Sequence, residues 1–196
     1  MACNVIQNSL AWCEGKVVVP GIRKRLYFIA KDKIAAWPAM VIDPDTGRPT
    51  SATLTGSFAL VDGAKWKFID ILVDKSQLTS EAQGEYPSQT QLNKLTAVHP
   101  DVEEDATLGA MNFNNVDNAY LVPTMSGKYR LLGNDRYQGK ATYAQDLGQG
   151  ATGTASSTLT VEHTDLIPCP FYTGQIELED GTINPDPAPS VETEGE

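Results

Sequence analysis

The sequence predicts a mostly β fold of five to eight strands with one or two short helices. Three observations carry this expectation. Short runs rich in branched and aromatic residues recur, such as Arg25–Ala30 (RLYFIA), and these residues suit a pleated, half-buried surface. Turn signals separate the runs, among them Pro20–Gly21, Asp62–Gly63 and Ser126–Gly127. Thr154–His163 (TASSTLTVEH) alternates near the period of two that marks a strand with one buried face. Glycine (16) and proline (12) together supply about one residue in seven, which favours a turn-rich chain.

Residues 1–15 read as an irregular N-terminal arm or a first short strand, and Lys16–Val19 is an apolar β-branched run. The strand Arg25–Ala30 is opened by a basic cluster, Arg23, Lys24 and Arg25. Lys31–Trp37 is expected to form one to two helical turns, capped by Asp32 and stopped by Pro38. Met40–Ile42 is short and apolar, and Asp43–Pro49 is a turn-rich loop. Leu54–Val61 and Lys65–Val73 are expected to pair as a hairpin around Asp62–Gly63. Residues 74–95 are polar with a weak helical signal at Gln89–Leu95, and His99–Gly109 is an acidic connection. The whole of 74–110 is therefore expected to be an exposed excursion. Ala119–Val122 and Tyr129–Leu132 form a second hairpin, Asn134–Gln149 a longer loop, and Thr154–His163 a strand. Pro168–Tyr172 gathers apolar residues around Cys169, and Gly174–Leu178 is a last edge strand. The organisation expected is an arm over 1–15, a single β-rich domain over 16–180, and an acidic, proline-rich tail over 181–196.

With 196 residues, 41% of them hydrophobic and 20% charged, the chain has enough material for one core plus arms. The net charge is -10, but seven acids and no Lys or Arg lie from Glu177 onward, which leaves the body near about -3. No nucleic-acid partner is implied by this balance. The first fifteen residues lack a basic start and a long apolar run, so no secretory signal is expected, and no apolar stretch approaches membrane-spanning length. Cys3, Cys13 and Cys169 make no disulfide framework. Free thiols in a reduced setting are expected, with a Cys3–Cys13 bridge as the alternative.

The motifs point away from chemistry, and neither an enzyme nor a cofactor is expected. Gly148-Gln149-Gly150-Ala151-Thr152-Gly153 is a formal GxGxxG, but a dinucleotide site needs a helix to begin inside it, and here a threonine-rich strand follows. Asp43-Pro44-Asp45-Thr46-Gly47 has oxygen ligands for calcium, yet the position where an EF-hand needs its bidentate Glu is Leu54. Asn114, Asn115, Asp117 and Asn118 read as a turn. His99, His163 and the scattered cysteines have no zinc spacing. Ser157, His163 and Asp165 hold the atoms of a hydrolase triad, but Ser157 and His163 lie six apart on one strand, some ~20 Å along it. Trp12, Trp37 and Trp66 read as core residues or contact anchors.

The stretch Tyr120-Leu-Val-Pro-Thr…Gly127-Lys-Tyr-Arg-Leu-Leu-Gly133 resembles a hairpin of bacteriophage tail tube (major tail) proteins, of the kind found in phages and prophages of Bacteroides-like bacteria. Gln149-Gly150…Gly153-Thr154-Ala155…Thr158-Leu-Thr-Val-Glu162-His163 is similar to the family's glycine-rich connection into a Thr-x-Thr-x-Glu strand, and Pro168–Phe171 to the apolar close after it. The resemblance covers about residues 119–175; Pro20-Gly21-Ile22-Arg23 and Ile34…Trp37-Pro38 resemble the family less specifically. It implies a β-sandwich or small barrel with a flanking helix, extended loops and terminal arms. It also implies homo-hexameric rings that stack into a tube, meet other phage tail proteins, and conduct DNA without binding it specifically. Such a protein is made in the bacterial host cytoplasm, resides in the virion and has no membrane anchor. The intersubunit contacts expected are Trp12, the basic cluster Arg23, Lys24 and Arg25, and the loop of Asp146, Gly148, Gly150 and Gly153. Two other readings stay open: another tail component such as a terminator or head–tail connector, and a soluble β-sandwich binding module with an aromatic groove from Tyr137, Tyr143 and Tyr172.

Overall fold

A computed structural model describes residue 7 and residues 9–185. In chain order its strands are β1 (Arg25–Ala30), β2 (Ile34–Ala36), β3 (Ala59–Leu60), β4 (Lys67–Asp70), β5 (Gln77–Gln83), β6 (Thr90–His99), β7 (Asn118–Pro123), β8 (Tyr129–Leu132), β9 (Lys140–Asp146), β10 (Ser156–Asp165), β11 (Phe171–Tyr172), β12 (Ile176–Leu178) and β13 (Gly181–Ile183). Two single-turn helices, α1 (Glu104–Leu108) and α2 (Ala110–Phe113), stand between β6 and β7. The strands form a five-stranded antiparallel sheet ordered β11-β8-β7-β1-β4, a four-stranded one ordered β5-β6-β10-β9, and two small hairpin-like pairs.

The two large sheets pack as a β-sandwich and close no barrel. Leu26, Phe28, Tyr120, Val122 and Leu132 of the first sheet meet Leu95, Ala97, Leu159 and Val161 of the second. Phe113 of α2 plugs one side, its ring 4.8 Å from that of Phe28. Each Leu, Val or Phe side chain so withdrawn from water contributes about 1.5–3 kcal/mol. The other face of the five-stranded sheet carries a second core: Tyr27, Ile29, Leu121, Tyr129, Leu131 and Tyr172 lie beneath Leu54, Phe58, Trp66 and Ile176. Phe58 is the hub, 5.1–5.3 Å from the rings of Trp37, Trp66 and Tyr172. The buried Tyr172 hydroxyl donates to Gln175 O at 2.7 Å and accepts the Phe58 N–H, so this phenol is paired on both sides.

The four-stranded sheet is packed on one face only. Along β10 burial alternates without exception, with Ser157, Leu159, Val161, His163 and Asp165 inward. Register then sets the outer rows: Gln77, Thr96, Thr160 and Thr142 in one, Thr79, Lys94, Glu162 and Lys140 in the next. Lys94 and Glu162 pair across it at 2.8 Å.

Several expectations are corrected. Residues 74–110 are no excursion: they supply β5 and β6, and the helix expected at Gln89–Leu95 falls on β6 from Thr90 onward. Leu54–Val61 and Lys65–Val73 form no hairpin, since β3 pairs with β2 and β4 with β1. Leu54, Phe58 and Trp66 spend their apolar side chains on the face of a sheet already formed. Lys31–Trp37 is a single 3-10 turn, Lys31–Lys33, followed by β2. The Asn134–Gln149 loop contains β9. The first residues of the expected tail form β13, paired with β12, and the tail from Asp186 on lies outside the described residues. Lys16–Val19 joins no strand and is exposed. Cys13 is an exposed free thiol and Cys169 a buried one, while Cys3 lies outside the described residues.

Candidate functional site

The basic cluster sits where the chain enters β1, but it is not three free cations. The Arg25 guanidinium forks onto Asp70 across the β1–β4 pair at 2.8 and 2.9 Å and stacks over the Phe68 ring at 3.9 Å. Asp70 holds Arg25 above its ordinary pKa, and Arg25 in turn holds the Asp70 carboxyl below the usual carboxylate range. Arg23 and Lys24 are exposed and make no ion pair among the described residues. Trp12 is exposed, unlike the buried Trp66 and the half-buried Trp37.

The glycine-rich loop links β9 to β10 at a hairpin end. Asp146 Oδ1 accepts the Gly148 N–H at 2.9 Å, Gly148 takes φ +78°, and one 3-10 turn spans Gly150–Thr152. A Cβ at Gly153 would fall 2.2 Å from the Gln149 nitrogen, so the chain crosses itself there as only glycine permits. The motif's glycines thus serve a tight crossing. No helix N-terminus follows to meet a pyrophosphate, because β10 begins at Ser156.

A line of contacts joins the two expected elements. The Asp70 carbonyl lies 2.6 Å from His99 Nδ1, and His99 stands opposite Ser157 in the ladder. Ser157 Oγ donates to Asp101 O at 2.6 Å and accepts from Gln145, one residue before Asp146. Thr107 of α1 donates in turn to Gln145. Leu108 and Met111 of the two helices and Leu147 after β9 are exposed, as are Glu103, Glu104 and Asp105.

The other sequence motifs resolve into structure. Asp43 Oδ1 accepts the N–H groups of Asp45 and Thr46, both at 2.9 Å, which closes a turn and holds that carboxyl below its ordinary range. Ser157 and His163 each bond elsewhere: Ser157 to Asp101, His163 to Lys31. Tyr137, Tyr143 and Tyr172 line no common groove. Tyr172 is in the outer core, Tyr143 stacks on Phe113 at 5.4 Å beside the inner one, and Tyr137 faces solvent. Burial pushes the Cys169 thiol up to about 12, which makes it an inert packing group.

Sequence spacing offers no sign of a half-buried polar cluster at the far end of β1. Lys31, Asp117 and His163 come together there from positions 31, 117 and 163, with the Tyr137 carbonyl as a fourth member. Comparison with known proteins gives no match: no family model, no curated protein and no solved structure is similar to this chain.

Proposed function

We propose that the chain is a structural subunit that assembles with copies of itself into stacked hexameric rings, as the tail tube of a phage that conducts DNA. The observation that carries this reading is the arm before β1. Leu10, Trp12, Val17, Val18 and Val19 are 99%, 67%, 82%, 73% and 51% exposed. So dense an apolar segment, left in water by its own fold, marks a surface that another chain covers. The resemblance of residues 119–175 to tail tube proteins names the kind of assembly.

The four-stranded sheet supplies a way to propagate. Its neighbours are all antiparallel, so the edge strands β5 and β9 run in opposite directions. Copies related by rotation about an axis along the strands would set β5 of one beside β9 of the next, continuing the ladder and removing both edges. Asn114 Oδ1 now accepts the Tyr143 N–H of β9 at 2.9 Å and must release it for that pairing. The outer face mixes Lys94 and Lys140 with Glu81, Asp146 and Glu162, so it offers DNA no basic stripe to bind.

Sedimentation velocity on the wild type and on Val18→Asp tests the proposal. The wild type should form large species as concentration rises, and the variant should remain a folded monomer. A wild type that stays monomeric at every concentration overturns it. Closed rings that never stack would point to a terminator or connector.

A further inference from the structure

The cluster at the far end of β1 is closed in its hydrogen bonds. The Lys31 ammonium has three N–H groups and three acceptors: Tyr137 O at 2.7 Å, His163 Nε2 at 3.0 Å and Asp117 Oδ2 at 3.0 Å. His163 is 1% exposed, and its Nδ1–H donates to Thr164 O at 3.0 Å. The ring is therefore the neutral tautomer with its Nε2 lone pair turned to the ammonium. The other Asp117 oxygen accepts the Gly139 N–H at 3.1 Å. Gly139 lies flat against the imidazole, where a Cβ would sit 2.7 Å from its Cδ2.

These bonds hold one loop, Asn134–Gly139, which joins β8 to β9. Asn134 Nδ2 donates to Thr164 O at 2.9 Å, and its Oδ1 accepts the N–H groups of Arg136 and Tyr137. Lys31 grips the loop at the Tyr137 carbonyl and Asp117 at the Gly139 nitrogen. The loop also walls a cavity of about 340 Å³ that runs from Trp37 and Met40 to Asp165. Its outward side chains, Asp135, Arg136 and Tyr137, are exposed.

We propose that Lys31, His163 and Asp117 form an acid-release latch: a proton on His163 Nε2 removes an acceptor of Lys31, sets imidazolium against ammonium, and frees the Asn134–Gly139 loop. Lys31 and Asp117 are the charged groups that face the ring. The opposing residue on β6, Asn93, is neutral. Asp165, two residues on along the same face, lies by Asn134 and Arg136, and the exposed Asp135 and Arg136 belong to the loop itself. Asp117 favours the imidazolium, while burial and Lys31 oppose it more strongly, so the ring titrates below an ordinary histidine. An unfolded histidine takes its proton near pH ~6.5. Below that value the unfolded chain binds more protons than the native one, and the latch's contribution falls until the native ring is charged as well. The inference stands apart from the assembly reading.

Hydrogen exchange and a proton NMR titration of the two histidines test it, in the wild type, His163→Gln and Lys31→Gln. His163 should titrate below pH ~6.5 in the wild type and move upward in Lys31→Gln, which lacks the ammonium. Protection of residues 134–140, corrected for intrinsic rate, should fall about tenfold as the wild-type ring is protonated and stay level in His163→Gln. A ring that titrates at or above the ordinary value overturns the latch, as does a loop whose protection is unchanged while His163 takes its proton. The wild-type measurements decide the matter alone if either variant fails to fold.

Discussion

In the five-stranded sheet, β7 buries all six of its residues, whereas in the four-stranded sheet β10 buries every second one. The first sheet is covered on both faces, by the second sheet on one side and by Leu54, Phe58, Trp66 and Ile176 on the other. Its central strand β7 has no free face with which to meet another chain. The second sheet turns a broad face of threonine, glutamine and paired charge to solvent and ends in exposed edge strands. The first sheet carries apolar cover on both faces, and in the proposed assembly the joining surfaces are the edges of the second sheet and the arm.

The largest effect should come from breaking the cover of the buried sheet. Trp66, 1% exposed, sits between Phe58 and the outer core. Trp66→Ala should lower the unfolding free energy by about 3–5 kcal/mol in a urea titration. A loss under about 1 kcal/mol would mean that the covering segment is not packed as described. Adjacent residues of β10 sharpen the comparison, since they face opposite ways. Leu159→Ala, on the inner face, should cost about 2–5 kcal/mol, and Thr160→Ala, on the outer, no more than about 0.5 kcal/mol. Similar costs at both would erase the difference between the faces.

Asn114→Ala bears on the edge. It removes the side chain that occupies the Tyr143 N–H and should cost the monomer about 1 kcal/mol while lowering the concentration at which large species appear in sedimentation. Weaker assembly in that variant would exclude β9 as a joining edge. Smallest of all, Lys94→Ala should leave the urea midpoint nearly unchanged, because its pair with Glu162 is partly exposed and screened by salt.

The parts of the fold that were legible in sequence are those where side chains differ sharply between faces or where the whole strand is apolar. β1, the β7–β8 hairpin and β10 fall where the residues place them. β6 was hidden because its inward positions include Asn93 and Ala97, and its outward ones include Leu92, so no apolar alternation reaches the surface of the sequence. β9 is similar, with Ala141, Tyr143 and Gln145 inward. The expected hairpin at 54–73 failed for the opposite reason. A segment that lays apolar side chains on a finished sheet shows the same pattern as a strand. The tight loop at 146–153 was legible through its glycines. The engagement of Arg25 by Asp70 was not, because the pair is 45 residues apart. The Lys31–His163–Asp117 cluster had no local signal for the same reason.

Electron micrographs of the purified protein at rising concentration test the proposed assembly most directly. Six-fold rings and tubes of stacked rings are the result the proposed assembly predicts. A field of separate small particles at every concentration would contradict it.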